Sequence, residues 1–421
     1  MKQVTAIVLG AGQRGAAAYA EFARNFPNEM KVVGVAEPRE DRRASFARRY
    51  GVPQERCYAS WEEALAPQKY ADCVLVCTQD RMHYGPTLAA LEKGYHVLCE
   101  KPMSVDRGEM IEMVEAAKRA DRVLSICHVL RYSPFFMKLK AMLDAGAVGQ
   151  LVAVQHIECV GYWHAAHSYV RGNWRNLAES SPMILAKYCH DLDIMNWLVG
   201  SRCASLSSFG SLMHFTPDHR PEGAPGRCLD GCPARDECPY YAPRFYLDHP
   251  EGPEYARVVS LDPSRDAVLE ALRTGPYGRC VYACDNDVVD HQVVNLSYEN
   301  GVTASMTMCD FTERWERSIN IMGSRGQILG NMEDCRIEWR DFASGNNTVI
   351  NVHIPPSNHG GSDDTMMHEF VALIASGGRS RTGADLSLES HLMALAAEES
   401  RLDGGRVIDM KRFRQVPRNL C

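Results

Sequence analysis

The sequence lacks the features that would direct a protein to a membrane or to nucleic acid. It contains no apolar run long enough to span a bilayer. It also has no excess of positive charge, since 46 Lys and Arg stand against 53 Asp and Glu, and the net charge of -7 argues against nucleic acid or an anionic membrane surface as the main partner. No secretory leader precedes the first motif, MKQVTAIVLGAGQRG, so we expect a cytoplasmic protein.

The chain also lacks an internal repeat, and its 421 residues are enough for two domains. In residues 1–127, short apolar runs alternate with amphipathic segments of helix length. The runs are VTAIVLG, MKVVGVAE, ADCVLVCT, YHVLCE and RVLSIC. This alternation predicts a first domain over residues 1–127, with a parallel sheet covered by helices on both faces.

After about residue 128 the pattern changes to strand-like runs with few helices between them. This predicts a second α/β domain over residues 128–421, with a larger and mostly antiparallel sheet. A Pro- and Gly-rich stretch at about 217–284 has weak periodicity and is predicted to be an insertion.

A glycine motif, GAGQRG at residues 10–15, directly follows the first strand and opens the first helix. Its three glycines allow a tight turn, close approach of a pyrophosphate, and close packing of helix on strand. Glu37 ends the second strand, where a carboxylate accepts hydrogen bonds from ribose hydroxyls and repels a 2′-phosphate. The motif therefore predicts a dinucleotide site that favours NAD. NADP stays open because of three nearby arginines: Arg39, Arg42 and Arg43.

A helix of unusual composition is predicted from residue 184 to Gly200. One face carries Leu185, Tyr188, Leu192, Met195 and Val199. The opposite face carries Lys187, His190, Asp191 and Asp193 beside Ile194 and Trp197. Because charges held beside apolar groups are usually paired or used in chemistry, this helix is a candidate part of an active site.

The motif CEKP, at residues 99–102, follows the fifth strand. Together with the glycine motif, it resembles the Gfo/Idh/MocA family of sugar and polyol dehydrogenases. The segments CTQDRMH, RYSP and HGGSDDTMMHEF are also similar to motifs of that family. The resemblance implies an N-terminal Rossmann domain and a C-terminal α/β domain with a large, mostly antiparallel open sheet. The chain departs from many members at Gln79 and Asp80, where they read Pro-Asn, and at Ala186, where they carry Asp.

The resemblance also implies roles for individual residues. Lys101 would orient the alcohol and the nicotinamide, His190 would accept the hydroxyl proton, and Lys187 is a further catalytic candidate on the same helical face. The residues predicted to bind the cofactor are Gly10, Gly12, Gln13, Arg14, Gly15, Glu37, Thr78, His83, Glu100, Lys101 and Arg131.

The segment GYWHAAHSYVRGNWR, at residues 161–175, is dense in aromatic, His and Arg side chains. Such side chains suit a sugar, since aromatic faces stack on ring C–H groups while His and Arg bind hydroxyls. A surface loop with aromatic anchors and an oligomer contact are the alternatives. The residues predicted to bind substrate are His164, His167, Arg171, Trp174, Asp191 and His359.

Most of the sixteen cysteines lie in apolar runs and are expected to be buried thiols. Cys228, Cys232 and Cys238 instead form a C-x3-C-x5-C pattern in the insertion, followed by Cys280 and Cys284. Four thiolates hold a tetrahedral zinc, so a structural zinc at Cys228, Cys232, Cys238 and Cys284 is predicted, with Cys280 as the alternative fourth ligand.

These features predict an NAD-dependent oxidoreductase that takes a hydride from a secondary hydroxyl of a sugar, a sugar derivative or a cyclic polyol. Two alternatives stay open: a glycoside hydrolase that keeps NAD bound and works by oxidation and elimination, and a sensor that binds NAD and sugar without turnover. Lys101 and His190 favour an enzyme over a sensor. We also expect a homo-oligomer formed through one face of the C-terminal sheet.

Overall fold

Two sheets carry the fold of the computed structural model, which describes residues 3–355 and 358–415, the side chains of 358 and 359 excepted. The first sheet is parallel, with the order β3-β2-β1-β4-β5-β6. Its strands are β1 (Val4–Leu9), β2 (Met30–Ala36), β3 (Cys57–Tyr58), β4 (Cys73–Val76), β5 (His96–Cys99) and β6 (Leu124–Ile126). The five apolar runs predicted as strands are confirmed. The two-residue β3 was not predicted, because it is too short to leave a periodic signal.

The second sheet has nine strands in the order β14-β13-β12-β11-β7-β10-β9-β8-β15. Its strands are β7 (Leu151–Cys159), β8 (Cys203–Ser211), β9 (His291–Tyr298), β10 (Thr303–Cys309), β11 (Glu316–Gly323), β12 (Gly326–Asn331), β13 (Arg336–Asp341), β14 (Asn347–Asn351) and β15 (Ile408–Asp409). β10 runs parallel to β7, and every other neighbouring pair in the described strands is antiparallel. The predicted fold class is thus confirmed.

The helices cover both faces of the first sheet and one face of the second. They are α1 (Glu21–Asn25), α2 (Glu40–Tyr50), α3 (Trp61–Leu65), α4 (Tyr84–Glu92), α5 (Arg107–Ala120), α6 (Pro134–Asp144), α7 (Tyr162–Ala165), α8 (Met183–Ala186), α9 (Cys189–Val199), α10 (Ala242–Asp248), α11 (Gly252–Val259), α12 (Arg265–Thr274), α13 (Ser362–Ser376), α14 (Ala384–Leu402) and α15 (Met410–Phe413). Two π-helical segments, Gln13–Ala20 and Ala166–Arg171, continue into or follow these helices. No helix in the described ranges combines the length and apolarity of a membrane span.

The helix predicted from residue 184 is interrupted. α8 ends at Ala186, and α9 begins at Cys189 and ends before Gly200, whose φ of +66° is the left-handed conformation expected of a terminating glycine. The break lies at Lys187 and Tyr188, directly before His190. Within α9, Asp191 and Asp193 are both buried.

Two further features place the site. In the insertion, α10, α11 and α12 surround their own apolar cluster, which includes Phe245, Val268 and Leu272. Near the end of the chain, α13 packs Met366 and Phe370 into the apolar cluster of β1 and β2. The C-terminal helices therefore return to the first sheet and connect the two halves of the chain.

Candidate active site

The glycine motif forms an open cradle at the carboxyl end of β1. Gly10 has a φ of +96°, and a Cβ there would lie 2.4 Å from the Cys77 carbonyl oxygen. A Cβ on Gly15 would lie 2.0 Å from the Gly10 oxygen. A Cβ on Gly12, by contrast, would meet no described atom within 4 Å. The first and third glycines thus allow the turn, and the second leaves space in which a pyrophosphate fits.

The Glu37 carboxylate lies beside this cradle, buried to 5% exposure. It accepts hydrogen bonds from the main-chain N–H of Ala11 at 2.9 Å and of Arg39 at 3.1 Å. Among the nearby arginines, Arg39 pairs with Asp41 at 2.7 Å, and Arg43 donates to the Glu37 main-chain oxygen. These cations therefore have partners, and the carboxylate is fixed at the end of β2 where a ribose would lie.

Several predicted cofactor residues hold the loops of the site together. Arg14 donates to Glu100 Oε1 at 2.7 Å and to Asp363 Oδ1 at 2.6 Å, which ties the glycine motif to α13. His83 is 1% exposed, with Nδ1 at 2.6 Å from the Pro102 oxygen and Nε2 at 3.0 Å from the Thr78 oxygen. These contacts fix the loops after β4 and β5 relative to each other.

Arg131 is also committed to a structural contact. Its Nε and Nη2 donate to the two carboxylate oxygens of Asp193 at 2.6 and 2.7 Å, and its Nη1 donates to the Arg381 oxygen at 2.8 Å. Both members of the pair are buried. The guanidinium therefore anchors α9 to the segment after β6, and the structure does not direct it towards the glycine cradle.

Lys101 contacts the end of α8, just before the break that precedes α9. Lys101 Nζ donates to the Ala186 oxygen at 2.6 Å. His190 is partly exposed in the first turn of α9, with its ring centroid 5.5 Å from that of His128. Burial lowers the pKa of both Lys187 and His164, and the charge of Lys101 adds to the shift in each.

A buried network of charges lines one side of this space. Lys187 Nζ lies 3.3 Å from Glu158 Oε1, and Arg317 Nε lies 2.7 Å from Glu158 Oε2. Burial raises the pKa of Glu158 to about 7, although Arg317 and Lys187 oppose the shift. Asp191 accepts from Arg317 Nε at 2.8 Å, and His156 Nε2 lies 2.7 Å from it. The predicted substrate ligand Asp191 is thus occupied within the protein.

Sequence analysis missed an acid on the opposite side. Asp310 follows β10 and is 1% exposed, and its Oδ1 has no hydrogen-bond partner among the described residues. Burial, and then the charge of Asp290, raise the pKa of Asp310 well above its usual value. The Tyr188 hydroxyl is likewise buried without a partner in the described chain, and burial together with Asp310 raises its pKa. The sequence signal that could have identified Asp310 is an acidic residue directly after the apolar run that forms β10.

The aromatic segment at 161–175 divides into two groups. His164 is partly exposed among the rings of Trp163, Tyr169 and Tyr255. Burial, followed by the charge of Lys187, lowers the pKa of His164 well below its usual value, so its imidazole is neutral. Trp174 is also partly exposed, and its Nε1 donates to Asp80 Oδ1 at 3.1 Å.

The second group supports the insertion. Arg171 is 1% exposed and donates to the main-chain oxygens of Arg279 and Tyr240, both at 2.7 Å. His167 Nδ1 lies 2.7 Å from the Tyr246 hydroxyl, and its ring stacks on Tyr277 with centroids 4.6 Å apart. The structure therefore does not bring Arg171 and His167 to the space around Lys101. His359 lies in the turn Asn358–Gly361, and its side chain is outside the described residues.

The predicted zinc ligands do not form a ligand set. Cys228, Cys232 and Cys238 line a small cavity in the insertion together with Cys280, whereas the Cys284 thiol donates to the Cys280 oxygen at 3.2 Å. In the described chain, the only group of three or more His, Cys, Asp or Glu ligand atoms within 4.8 Å of one another is His128, Cys189 and His391. A structural zinc at Cys228, Cys232, Cys238 and Cys284 is therefore not supported.

Comparison with known proteins gives matches along nearly the whole chain. Residues 4–128 match the Gfo/Idh/MocA model described as "Oxidoreductase family, NAD-binding Rossmann fold", and residues 140–407 match the model described as "Oxidoreductase family, C-terminal alpha/beta domain".

Individual relatives are distant. The protein YteT of Bacillus subtilis (strain 168) is 24% identical over 316 residues, which are 71% of this chain and 72% of YteT. The 2,7-anhydro-N-acetylneuraminate hydratase of Escherichia coli (strain K12) is 27% identical over 50% of this chain and 54% of its own, so the chain spans about half the length of that relative. The solved structure of a levoglucosan dehydrogenase with NADH and levoglucosan has a TM-score of 0.71 at 18% identity, covering 97% of this chain and 99% of that one. On the strength of the two matching domain models, the chain belongs to the Gfo/Idh/MocA family of oxidoreductases.

Proposed function

We propose that the chain is an NAD-dependent oxidoreductase that removes a hydride from a secondary hydroxyl of a sugar, a sugar derivative or a cyclic polyol. One observation carries the proposal. Lys101, from the loop after β5 in the nucleotide-binding sheet, reaches the main chain of residue 186 and so lies beside the helix that bears His190. A cation from the nucleotide-binding half of the chain thus lies near the start of the helix that bears an imidazole.

Bound NAD would supply the hydride acceptor. The Lys101 ammonium would hold the alcohol oxygen, where it stabilises the negative charge that develops as the proton leaves. His190 would accept that proton, which requires only a neutral imidazole within reach of the hydroxyl. Lys187 is the second candidate to accept the proton, but its ammonium group is paired with Glu158.

The substrate would lie between α9 and the segment 161–175. His164 is neutral and partly exposed, so it would bind a hydroxyl by hydrogen bonding rather than by charge. Trp174 is partly exposed and packs against the buried Tyr169, so its ring would stack on the C–H groups of a sugar. Arg171 and His167 are buried in the contact between this segment and the insertion, so they would hold the segment in place.

A second candidate reaction, glycoside cleavage without net redox change, is favoured by Asp310. Burial raises the pKa of this carboxyl well above its usual value and so favours the protonated form, which can donate to a leaving oxygen. The similarity to an enzyme named a hydratase agrees with a redox-neutral reaction in this family. Simple oxidation needs fewer groups and stays the preferred proposal.

We also propose NAD rather than NADP as the cofactor, and self-association through the second sheet. Glu37 would accept from the ribose, and Arg39 is neutralised by Asp41. The outer face of the second sheet exposes Val152 and Ile157, beside a groove over β7 and β11. A dimer would give a mass of about twice 47.0 kDa in light scattering, and a monomeric mass would contradict it.

The catalytic proposal is tested by Lys101→Met and His190→Asn. Each should lower turnover by roughly a hundredfold or more, the usual scale for an acid–base group, while the Kd for NAD changes little. Two exposed positions, Lys118 and His219, provide matched controls as Lys118→Met and His219→Asn, which should leave turnover unchanged. Near-normal turnover in His190→Asn would move the base to another group.

A further inference from the structure

Behind the proposed base, three side chains from distant parts of the sequence converge. His128 follows β6, Cys189 is the first residue of α9, and His391 lies within α14. Their nitrogen and sulfur atoms lie within 4.8 Å of one another, and all three residues are buried to 1% exposure or less. The cluster therefore joins the end of the first sheet, the helix that bears His190 and a C-terminal helix.

Both imidazoles are oriented by a contact at Nδ1. Nδ1 of His391 lies 2.8 Å from the Ser387 oxygen, one turn earlier in α14, so this nitrogen carries a proton and Nε2 carries a lone pair. Nδ1 of His128 lies 3.0 Å from Asp193 Oδ2, which is an ion-pair distance without the alignment of a hydrogen bond. In both residues Nε2 is buried and has no hydrogen-bond partner in the described chain.

This arrangement leaves more acceptors than donors. Each neutral imidazole has one acceptor nitrogen, and one ligand nitrogen of each ring lies within 4.8 Å of the Cys189 sulfur, whose single S–H satisfies at most one acceptor. Buried polar atoms are normally paired, so the second acceptor calls for a missing partner. A metal ion would accept electron pairs from both nitrogens and from the sulfur at once. An imidazole held at its other nitrogen by a carboxylate or a carbonyl is the arrangement usual for metal-binding histidines.

We propose that His128, Cys189 and His391 form a binding site for a Zn²⁺ ion, with a water molecule as the fourth ligand. Two imidazoles and one thiolate match the ligand preference of zinc. Binding replaces the S–H bond of Cys189 with a zinc–sulfur bond and releases one proton to solvent, with no change in oxidation state. The site differs from the cysteine group of the insertion in its ligands and in its place in the fold.

The ion would position the helix that bears His190. Cys189 directly precedes His190, and the first turn of α9 follows the break at Lys187 and Tyr188. Fixing Cys189 to His128 and His391 would hold that turn against the segment after β6. The ion would be structural, and its binding stands independently of the reaction proposed above.

The test uses full-length, reduced protein freed of metal by chelation and titrated with Zn²⁺ or with Co²⁺ as a spectroscopic probe. The wild type should bind about one equivalent tightly and show a cobalt–thiolate charge-transfer band. Cys189→Ser should lose the band, and His391→Asn should weaken binding at least about tenfold. Cys238→Ser, in the insertion, and Cys203→Ser, another buried thiol, should keep both signals.

Absence of uptake by the folded wild type would overturn the proposal. A band that persists in Cys189→Ser and disappears in Cys238→Ser would also overturn it, and would assign the metal to the insertion. If a variant does not fold, X-ray absorption on the wild-type zinc protein identifies the ligands without any variant. Two nitrogens and one sulfur around the ion would support the site, whereas four sulfurs would refute it. Turnover is measured separately, so a failure of this site is distinguishable from a failure of the proposed reaction.

Discussion

Replacing Arg131 decides whether this residue binds the cofactor or holds the fold. The side chain makes two short hydrogen bonds to Asp193 and one to the Arg381 oxygen, and the Asp193 carboxylate is 1% exposed. Arg131→Met would remove one partner of a buried ion pair and leave the other charge uncompensated. The expected loss in the free energy of unfolding is about 3–5 kcal/mol. Because whole domains are stable by only about 5–15 kcal/mol, such a loss is readily measured.

The assay is guanidinium chloride unfolding without NAD, since a bound ligand would mask the loss. The double variant Arg131→Met/Asp193→Leu removes both charges, and it should recover much of the lost stability. The Kd for NAD should be the same in the folded single variant as in the wild type. A stability loss below about 1 kcal/mol combined with weaker NAD binding would refute the structural assignment.

Two further predictions concern the cofactor carboxylate and the missed acid. Wild-type protein should bind NAD more tightly than NADP. Glu37→Ala should lower the ratio of the two dissociation constants by about tenfold, as expected for the loss of hydrogen bonds to a charged group. Equal dissociation constants for NAD and NADP in the wild type would contradict the role of Glu37. Asp310→Asn should raise the melting temperature at pH 8, with the gain disappearing towards pH 4. The reason is that a carboxyl whose folded-state pKa is raised loses stability as pH rises above its unfolded value, and Asn does not ionise. A variant less stable than wild type at pH 8 would show that the Asp310 carboxylate has a partner.

The sequence identified those parts of the site that depend on local geometry. The glycine motif requires a φ of +96° at Gly10, where a Cβ would also lie 2.4 Å from the Cys77 oxygen, and only glycine meets that demand. The strands of the first sheet are continuous apolar runs because both faces are covered, so they could be recognised from composition. The polar face of α9 was also visible, because charges alternated with Ile194 and Trp197.

Residue roles that depend on distant partners could not be predicted. Arg171 and His167 have the composition of a sugar site, but their partners Arg279 and Tyr246 lie in the insertion, about which periodicity says little. Arg131 matched a family motif, and only the three-dimensional structure shows that it faces Asp193. The break after Ala186 leaves no signal in hydrophobic spacing, and the charges on α9 are buried against Arg131 and Arg317, which are distant in sequence.

The central claim is tested most directly by the stoichiometry of NADH. Purified protein is incubated with excess NAD and a panel of sugars, cyclic polyols and aryl glycosides, while nicotinamide absorbance and product are both measured. The proposed dehydrogenase should accumulate about one NADH for each oxidised product, because a hydride leaves the substrate permanently. Glycoside cleavage with no net NADH would contradict it in favour of the redox-neutral reaction, and tight binding of sugar and NAD without any product would contradict both.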